Sequence, residues 1–261
     1  MRLAVFSDIH GNITAFDAVL ADLEAQGSVD HIWFLGDLVA VGPRPVECIQ
    51  RLKTFVEARE GDETLKGTFH AISGNNDRYL VRNARHDQSP PEDEEKFLAM
   101  RKDIISIEEA HIWTLSRLSF EDYTYLAKLG WETALQVPNY GRVIGYHGVP
   151  GNDEGYLRPD TEEEEACDML LDREGRLGIG GHIHVQMDRT LRTGWRVINV
   201  GSVGMSAEMP GKAQYGIFTF TGDHVEVDLR AVPYDIESVI QDYDQVGFPK
   251  PEWAEKSLRG N

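Results

Sequence analysis

The sequence of 261 residues has few cysteines, only Cys48 and Cys167, and neither has a second thiol at metal-ligand spacing. Two isolated thiols argue against a disulfide-stabilised secreted scaffold and are typical of a reducing compartment. The sequence also lacks any apolar run of about 18 residues, and its start lacks the charged and apolar regions of a signal peptide. We therefore expect a soluble, cytoplasmic protein with no membrane partner.

Basic residues are scarce as well. Lysine and arginine number 26 against 44 aspartates and glutamates, and the formal net charge is -18. Such a charge argues against a surface that binds long nucleic acids, although divalent cations could still create a local positive site. With 41% hydrophobic and 27% charged residues, the composition is ordinary for a globular protein, and the length can bury a sizeable core. We interpret residues 1–261 as a single domain.

The first part of the sequence alternates apolar runs with helical patterns. The runs, which predict buried strands, cover residues 3–6, 31–35 and 67–73, and helical spacing of apolar residues separates them. This β-α-β-α-β order is typical of a parallel sheet. Each run ends near a polar residue, namely Asp8, Asp37 and Asn75, and the latter two directly follow a glycine. Because ligands bind at the carboxyl ends of parallel strands, these residues are predicted to line one crevice.

Histidines follow the same rule. His10 stands two residues after Asp8, and His182 and His184 follow an apolar run in the same spacing. Side chains two residues apart in an extended segment point to the same side, so each pair is predicted to converge. His147 follows a further predicted strand, residues 142–146. Mixed oxygen and imidazole donors suit Mn²⁺, Fe or Zn²⁺ better than Ca²⁺, and seven donors suit two metals rather than one.

The remaining segments place further elements around this site. Residues 80–133 read as a helical insertion or cap, with an ordinary pair of crossover helices as the alternative. Thr161 and Glu164 fit a capping box at the start of another helix. Residues 215–232 predict a hairpin, the later strands imply a second sheet, and a short helix follows from residue 235. The C-terminal tail, about residues 245–261, is expected to be poorly ordered.

In order along the chain, the motifs are Asp8-Ile9-His10, Gly36-Asp37, Gly74-Asn75-Asn76-Asp77, His147 and Gly181-His182-Ile183-His184. This series resembles that of the calcineurin-like metallophosphoesterases, and residues 199–202 resemble a segment of their smaller bacterial and archaeal phosphodiesterase-like branch. The resemblance implies an α/β fold, a four-layer α-β-β-α sandwich of two mixed sheets flanked by helices. It covers residues 8–184, whereas the insertion and the last 40 or so residues carry no diagnostic motif.

The resemblance also implies a centre for two divalent metal ions, most simply Mn²⁺, with Fe, Zn²⁺ or Ni²⁺ as alternatives. One metal would be held by Asp8, His10, Asp37 and His184, and the other by Asp37, Asn75, His147 and His182, so that Asp37 bridges them. A metal-bridging hydroxide would attack phosphorus. Metal coordination lowers the pKa of bound water and neutralises phosphoryl charge, which agrees with this chemistry.

One position departs from the pattern. Many relatives have a histidine after the metal-binding asparagine, where this chain has Asn76. An amide can donate a hydrogen bond but cannot act as a general acid, so no catalytic acid is assigned. His86 and His111 are interpreted as surface residues, with replacement of the missing acid as the alternative. Asn76, Arg44 and Arg78 are the candidate substrate-binding residues.

The predicted function is hydrolysis of small phosphoesters, with a leaning to phosphodiesters because Asn76 replaces the acid. One alternative is a phosphomonoesterase, either protein phosphatase-like or a dinucleoside-polyphosphate hydrolase. The other alternative is a non-catalytic, metal-bound scaffold or regulatory subunit. The sequence does not determine the oligomeric state.

Overall fold

The structure, a computed structural model, describes residues 1–85 and 90–260. Its strands are β1 (Arg2–Phe6), β2 (His31–Phe34), β3 (Phe69–Ala71), β4 (Glu132–Val137), β5 (Gly141–Tyr146), β6 (Leu177–Gly180), β7 (Gln186–Thr190), β8 (Arg196–Val200), β9 (Lys212–Thr221) and β10 (His224–Pro233). Its helices are α1 (Ile13–Ala25), α2 (Pro45–Glu60), α3 (Asn75–Arg82), α4 (Glu94–Arg117), α5 (Phe120–Ala127), α6 (Glu163–Asp168), α7 (Ile236–Val246) and α8 (Pro251–Arg259).

The strands form two mixed sheets of five strands each. In the first sheet the order is β10-β9-β1-β2-β3, with β1, β2 and β3 parallel and the β9–β10 hairpin antiparallel. In the second sheet the order is β4-β5-β6-β8-β7, with β5, β6 and β8 parallel. The predicted β-α-β-α-β start, the hairpin and the second sheet are therefore confirmed. The short edge strands β4 and β7 were not anticipated.

The core clusters show how the layers stack. Between the sheets, Val5 and Trp33 of the first pack with Ile179 and Ile198 of the second. On the outer face of the first sheet, α1 and α2 cover a second cluster that contains Phe6 and Phe34 from the strands. On the outer face of the second sheet, α6 packs against residues of β5 and β8. The order is thus helix, sheet, sheet, helix, as the family resemblance implies. Because successive side chains of a strand point to opposite faces of the sheet, a strand such as β2 contributes apolar residues both to the cluster between the sheets and to the cluster under the outer helices.

Three helices form a further layer beside the strand ends. A fourth cluster joins α4, α7 and α8 through Ala110, Val239, Tyr243 and Leu258, together with Met205 from the loop after β8. The expectation of a poorly ordered C-terminal tail is wrong. Residues 251–259 form α8, and its Ala254 and Leu258 side chains are buried. Apolar residues four apart on one helical face explain this docking.

The starts of α5 and α6 are capped differently. Ser119 caps α5, and its hydroxyl accepts a hydrogen bond from the Asp122 backbone while the Asp122 carboxylate accepts from Ser119. The predicted capping box at Thr161 is wrong, because α6 begins two residues later and the Thr161 hydroxyl instead accepts from the Arg158 backbone.

Within the described residues, no helix has the length and apolar character that crossing a bilayer would require.

Candidate metal centre

The candidate ligands follow the carboxyl ends of β1, β2, β3, β5 and β6, and at five of them the backbone is left-handed rather than extended. Positive φ angles between 49° and 69° occur at Asp8, His10, Asp37, His182 and His184. The extended geometry on which the sequence prediction relied is therefore wrong, although the two members of each pair do converge on the centre. Left-handed turns are uncommon for residues other than glycine and concentrate at functional sites.

Two groups of side chains meet at the centre. In the first, Asp8, His10 and His184 place donor atoms within 4.8 Å of one another, and in the second Asp8, Asp37 and His147 do so. Asp37 Oδ2 lies 3.6 Å from His10 Nε2 and 3.4 Å from His147 Nε2, which places this oxygen between the two groups. Asp8 Oδ1 lies 3.2 Å from His184 Nε2 and 3.9 Å from His147 Nε2. Both carboxylates are thus shared between the two groups.

The other two candidate ligands complete the set. Asn75 Oδ1 lies 3.0 Å from His147 Nε2, and the His182 ring lies 5.1 Å from the His147 ring, centroid to centroid. The structure therefore brings together all seven residues that the sequence singled out. Their division between two ions remains a prediction.

Unpaired polar atoms show that this donor set fits a metal. Asp8 Oδ1 and His182 Nε2 are buried at the centre and have no hydrogen-bond partner among the described residues. An unpartnered buried carboxylate oxygen costs free energy, whereas coordination would satisfy it. His147 Nδ1 lies 2.7 Å from the Leu35 carbonyl oxygen, which fixes the ring with Nε2 towards the centre. Such an outer contact is typical of metal-binding histidines.

The electrostatics of the centre favour cations. Burial raises the pKa of Asp8, but His147 and His184 outweigh it and lower the pKa to about 2. Burial likewise opposes ionisation of Asp37, but His147 and His10 hold its pKa well below its usual range. Burial lowers the pKa of His147, yet Asp37 and Asp8 raise it to about 10. Two ionised carboxylates against one imidazolium leave a negative site that divalent ions would neutralise.

Buried hydrogen bonds hold the ligand loops in place. The Asp77 carboxylate accepts from the backbone N–H groups of Leu38, Val39 and Gly74 at 3.0 to 3.2 Å. It thereby ties the loop after β2 to the start of α3, a role that sequence reasoning did not assign. Asn199 Nδ2 donates to the Gly181 carbonyl, which links the end of β8 to the loop that carries His182.

Asn76 lies at the centre and contacts Asp37 twice. Its backbone N–H donates to Asp37 Oδ1 at 2.8 Å, and its Nδ2 donates to Asp37 Oδ2 at 2.6 Å. His111 of α4 approaches from the other side, with Nε2 3.0 Å from Asn76 Oδ1. The interpretation of His111 as a surface residue is therefore wrong, because α4 places this ring against Asn76, next to the candidate ligand Asn75. His86 lies outside the described residues.

The two candidate arginines are already paired with carboxylates. Arg44 contacts Asp242 of α7 and Glu47. Arg78 binds Asp153 with two hydrogen bonds of 2.7 and 2.9 Å and also contacts Glu154. Neither arginine lines the cavity at the centre. Their contact with substrate remains a prediction, and these ion pairs would have to open or rearrange for it.

A cavity of about 290 Å³ opens above the ligands. Its floor is formed by candidate ligands and Asn76, and its walls are Val41, Tyr79, Ile107, Tyr156, Met205, Trp253 and Ser257. Among the described residues that line it, none is a lysine or an arginine. Ile107 comes from α4 and Trp253 from α8, two elements in which the sequence shows no motif. Their approach depends on tertiary packing that local patterns do not encode.

Comparison with known proteins places the chain in a family. A family model described as the calcineurin-like phosphoesterase superfamily domain matches residues 1–223. An uncharacterised protein of Methanocaldococcus jannaschii is 26% identical over 272 aligned positions, which cover 98% of this chain and 96% of that protein. A symmetrical bis(5'-nucleosyl)-tetraphosphatase of Klebsiella pneumoniae is 32% identical over 81 positions, 31% of this chain and 25% of that protein.

A solved structure shares the fold. The crystal structure of a metallophosphoesterase from Sphaerobacter thermophilus superposes with a TM-score of 0.71 at 24% identity, covering all of this chain and 99% of that one. The family match extends over all seven candidate ligands, five of which form the two aspartate–histidine clusters at the strand ends. The chain therefore belongs to the calcineurin-like phosphoesterase superfamily and is a metal-dependent phosphoesterase.

Proposed function

We propose that the protein is a dinuclear-metal phosphoesterase that hydrolyses phosphodiesters. The observation that carries the proposal is the buried donor set, in which Asp8 and Asp37 each lie close to histidines of both groups. When bound, two divalent ions supply a hydroxide nucleophile at neutral pH and neutralise charge on the phosphoryl oxygens. Mn²⁺ is the expected metal, with Fe, Zn²⁺ or Ni²⁺ as alternatives, because the donors mix imidazole with carboxylate and amide oxygens.

Asn76 supports the preference for diesters with good leaving groups. Its amide lies beside Asp37, where it can hold a phosphoryl oxygen through a hydrogen bond, but it has no proton to give to a leaving alkoxide. A positioned general acid typically contributes about 10²–10⁴ in rate, and this site forgoes that contribution from Asn76. Esters whose leaving oxygen departs as a stable anion are therefore the best substrates.

The cavity walls support the same preference. A diester carries one negative charge, whereas a monoester dianion or a polyphosphate carries more charge beyond the reacting phosphoryl group. The described lining residues offer no lysine or arginine to receive that additional charge. Tyr156 and Trp253 instead offer aromatic surface to an apolar or planar ester group.

A substrate panel tests the proposal. The protein is loaded with Mn²⁺, and turnover of bis-p-nitrophenyl phosphate is compared with that of p-nitrophenyl phosphate. We expect a higher kcat/KM for the diester, loss of activity with a chelator and its return with added Mn²⁺. A preference for the monoester would contradict the diester assignment. Absence of turnover from a protein that holds both metals would favour the scaffold alternative.

A dinucleoside-polyphosphate hydrolase is the second candidate. The Klebsiella pneumoniae relative, which aligns with this chain over 81 positions, is named as a bis(5'-nucleosyl)-tetraphosphatase. That similarity covers only 31% of this chain. The panel therefore includes diadenosine tetraphosphate. We expect it to be hydrolysed less efficiently than the diester, because the described cavity walls lack cations for its chain of phosphates.

Trp253→Ala is expected to raise KM for bis-p-nitrophenyl phosphate about two- to tenfold, with kcat little changed. The indole lines the cavity from α8, and an aromatic contact contributes about 0.5–1.5 kcal/mol. Steady-state kinetics of the Mn²⁺-loaded variant measure this effect. Phe120→Ala is the control, because this aromatic residue is 85% exposed and does not line the cavity. Equal KM values for Trp253→Ala and the wild type would exclude substrate contact by Trp253.

A further inference from the structure

His111 of the helical insertion contacts Asn76 at the metal centre. Its Nε2 lies 3.0 Å from Asn76 Oδ1, and its Nδ1 lies 2.8 Å from the Ile107 carbonyl oxygen one turn earlier in α4. The edge of the ring also packs against Tyr79 of α3, with ring centroids 5.7 Å apart. The imidazole is therefore held by its own helix and presents Nε2 to Asn76.

The Asn76 amide has only one orientation that satisfies its neighbours. Nδ2 must face the Asp37 carboxylate, because an amide oxygen there would oppose Asp37 Oδ2 at 2.6 Å. Oδ1 then points away from the centre and requires a donor. A proton on Nε2 of His111, 3.0 Å from Oδ1, meets that requirement.

The three side chains form a line from β2 to the insertion. Asp37 follows β2, Asn76 stands in the first turn of α3, and His111 lies in the second half of α4. Asn76 lines the cavity above the ligands, whereas His111 does not. Any effect of His111 on a bound phosphoester would therefore pass through the Asn76 amide.

We infer that His111 is a positioning residue for the proposed phosphoesterase, which fixes the Asn76 amide with its N–H group directed into the metal centre. Held in this way, Nδ2 donates to Asp37 and, when substrate is bound, to a phosphoryl oxygen as charge develops on it. A donor that is already oriented stabilises such charge better than one that must first rotate. The inference rests on the proposed function, and it gives α4 a part in the active site.

The kinetic test compares two substitutions. His111→Leu removes the donor while keeping comparable bulk, and we expect kcat for bis-p-nitrophenyl phosphate to fall about tenfold with KM within threefold. The physical reason is that Asn76 Oδ1 loses its partner and the amide becomes free to turn. His111→Gln keeps an N–H donor and is expected to retain most of the wild-type kcat.

A double-substitution cycle separates positioning from general destabilisation. If His111 acts through Asn76, adding His111→Leu to Asn76→Ala should lower kcat no further than Asn76→Ala alone. Thr114→Val is the matched control, since Thr114 is also buried in α4 but makes no hydrogen bond to Asn76. We expect wild-type kcat from this control.

A second readout needs no turnover. In the metal-free protein, the side-chain amide resonances of Asn76 are followed by NMR and identified by their loss in Asn76→Ala. We expect His111→Leu to shift these resonances and speed their exchange with water, and Thr114→Val to leave them unchanged. Unchanged kcat in His111→Leu, or multiplicative losses in the double variant, would overturn the inference. Absence of turnover by the metal-loaded wild type would instead overturn the proposed function.

Discussion

Asp37→Asn is expected to remove at least one metal ion per chain and to lower kcat/KM at least about a hundredfold. Asp37 Oδ2 lies between His10 and His147, and the carboxylate is held ionised by His147 and His10. The substitution removes a negative charge and one oxygen donor from a buried site. Metal ions contribute several kcal/mol to transition-state stabilisation, and each 1.36 kcal/mol corresponds to a factor of ten in rate. Elemental analysis and diester hydrolysis measure the two losses.

The control for this substitution is Asp188→Asn. Asp188 pairs with Arg196 on the protein surface and takes no part in the described clusters, so metal content and rate should remain those of the wild type. Thermal unfolding of both variants checks that each is folded. If Asp37→Asn retained two metals and its full rate, the assignment of Asp37 as the bridging ligand would be wrong.

The convergence of the ligands could be predicted because it follows from topology. Once β1, β2 and β3 are parallel and adjacent, whatever follows them lies at one edge of the sheet. Asp8, Asp37 and Asn75 therefore had to be neighbours wherever the helices packed. The interior of a parallel sheet leaves a strong apolar signal in the sequence, which is why these strands were recognised.

The backbone at the ligands was not predictable in the same way. Asp8 and His10 lie in left-handed turns, a conformation that is uncommon for residues other than glycine, although aspartate and histidine adopt it more often than most. Backbone hydrogen bonds from the next loop maintain these turns, since the Asp8 N–H donates to the Gly36 carbonyl and the His10 N–H to the Asp37 carbonyl. Such contacts between distant segments leave no periodic pattern in the sequence.

The contribution of α8 was missed, and that of His111 was only the alternative interpretation, for a related reason. His111 and Trp253 each stand in a segment without a recognisable motif, and each reaches the site because α4, α7 and α8 bury a shared apolar cluster. Helical periodicity identified a helical segment around His111 but not the neighbour that it faces. Identifying His111 as part of the site required knowledge of the packing of α4 against α3.

Gly74→Ala is expected to disturb the centre although it adds a single methyl group. A Cβ at this position would lie 2.2 Å from Asp37 Oδ1 and 2.5 Å from the Asp37 backbone nitrogen, so the loop that carries Asp37 must move. Overpacking of this kind typically destabilises a protein by about 1–3 kcal/mol. A ligand displaced by about 1 Å can cost about a hundredfold in rate, and we expect a loss of that size together with weaker metal binding.

Gly130→Ala separates this steric effect from the general consequence of replacing a glycine. Its added Cβ would find no atom nearer than the Glu132 carbonyl oxygen at 4.0 Å, and its φ is not positive. Its stability should therefore match or slightly exceed that of the wild type, and its metal content should be unchanged. Metal titration, thermal unfolding and diester kinetics of both variants decide the matter. If Gly74→Ala bound metal as tightly as Gly130→Ala and kept the same rate, close packing of Gly74 against Asp37 would not be what holds this ligand in place.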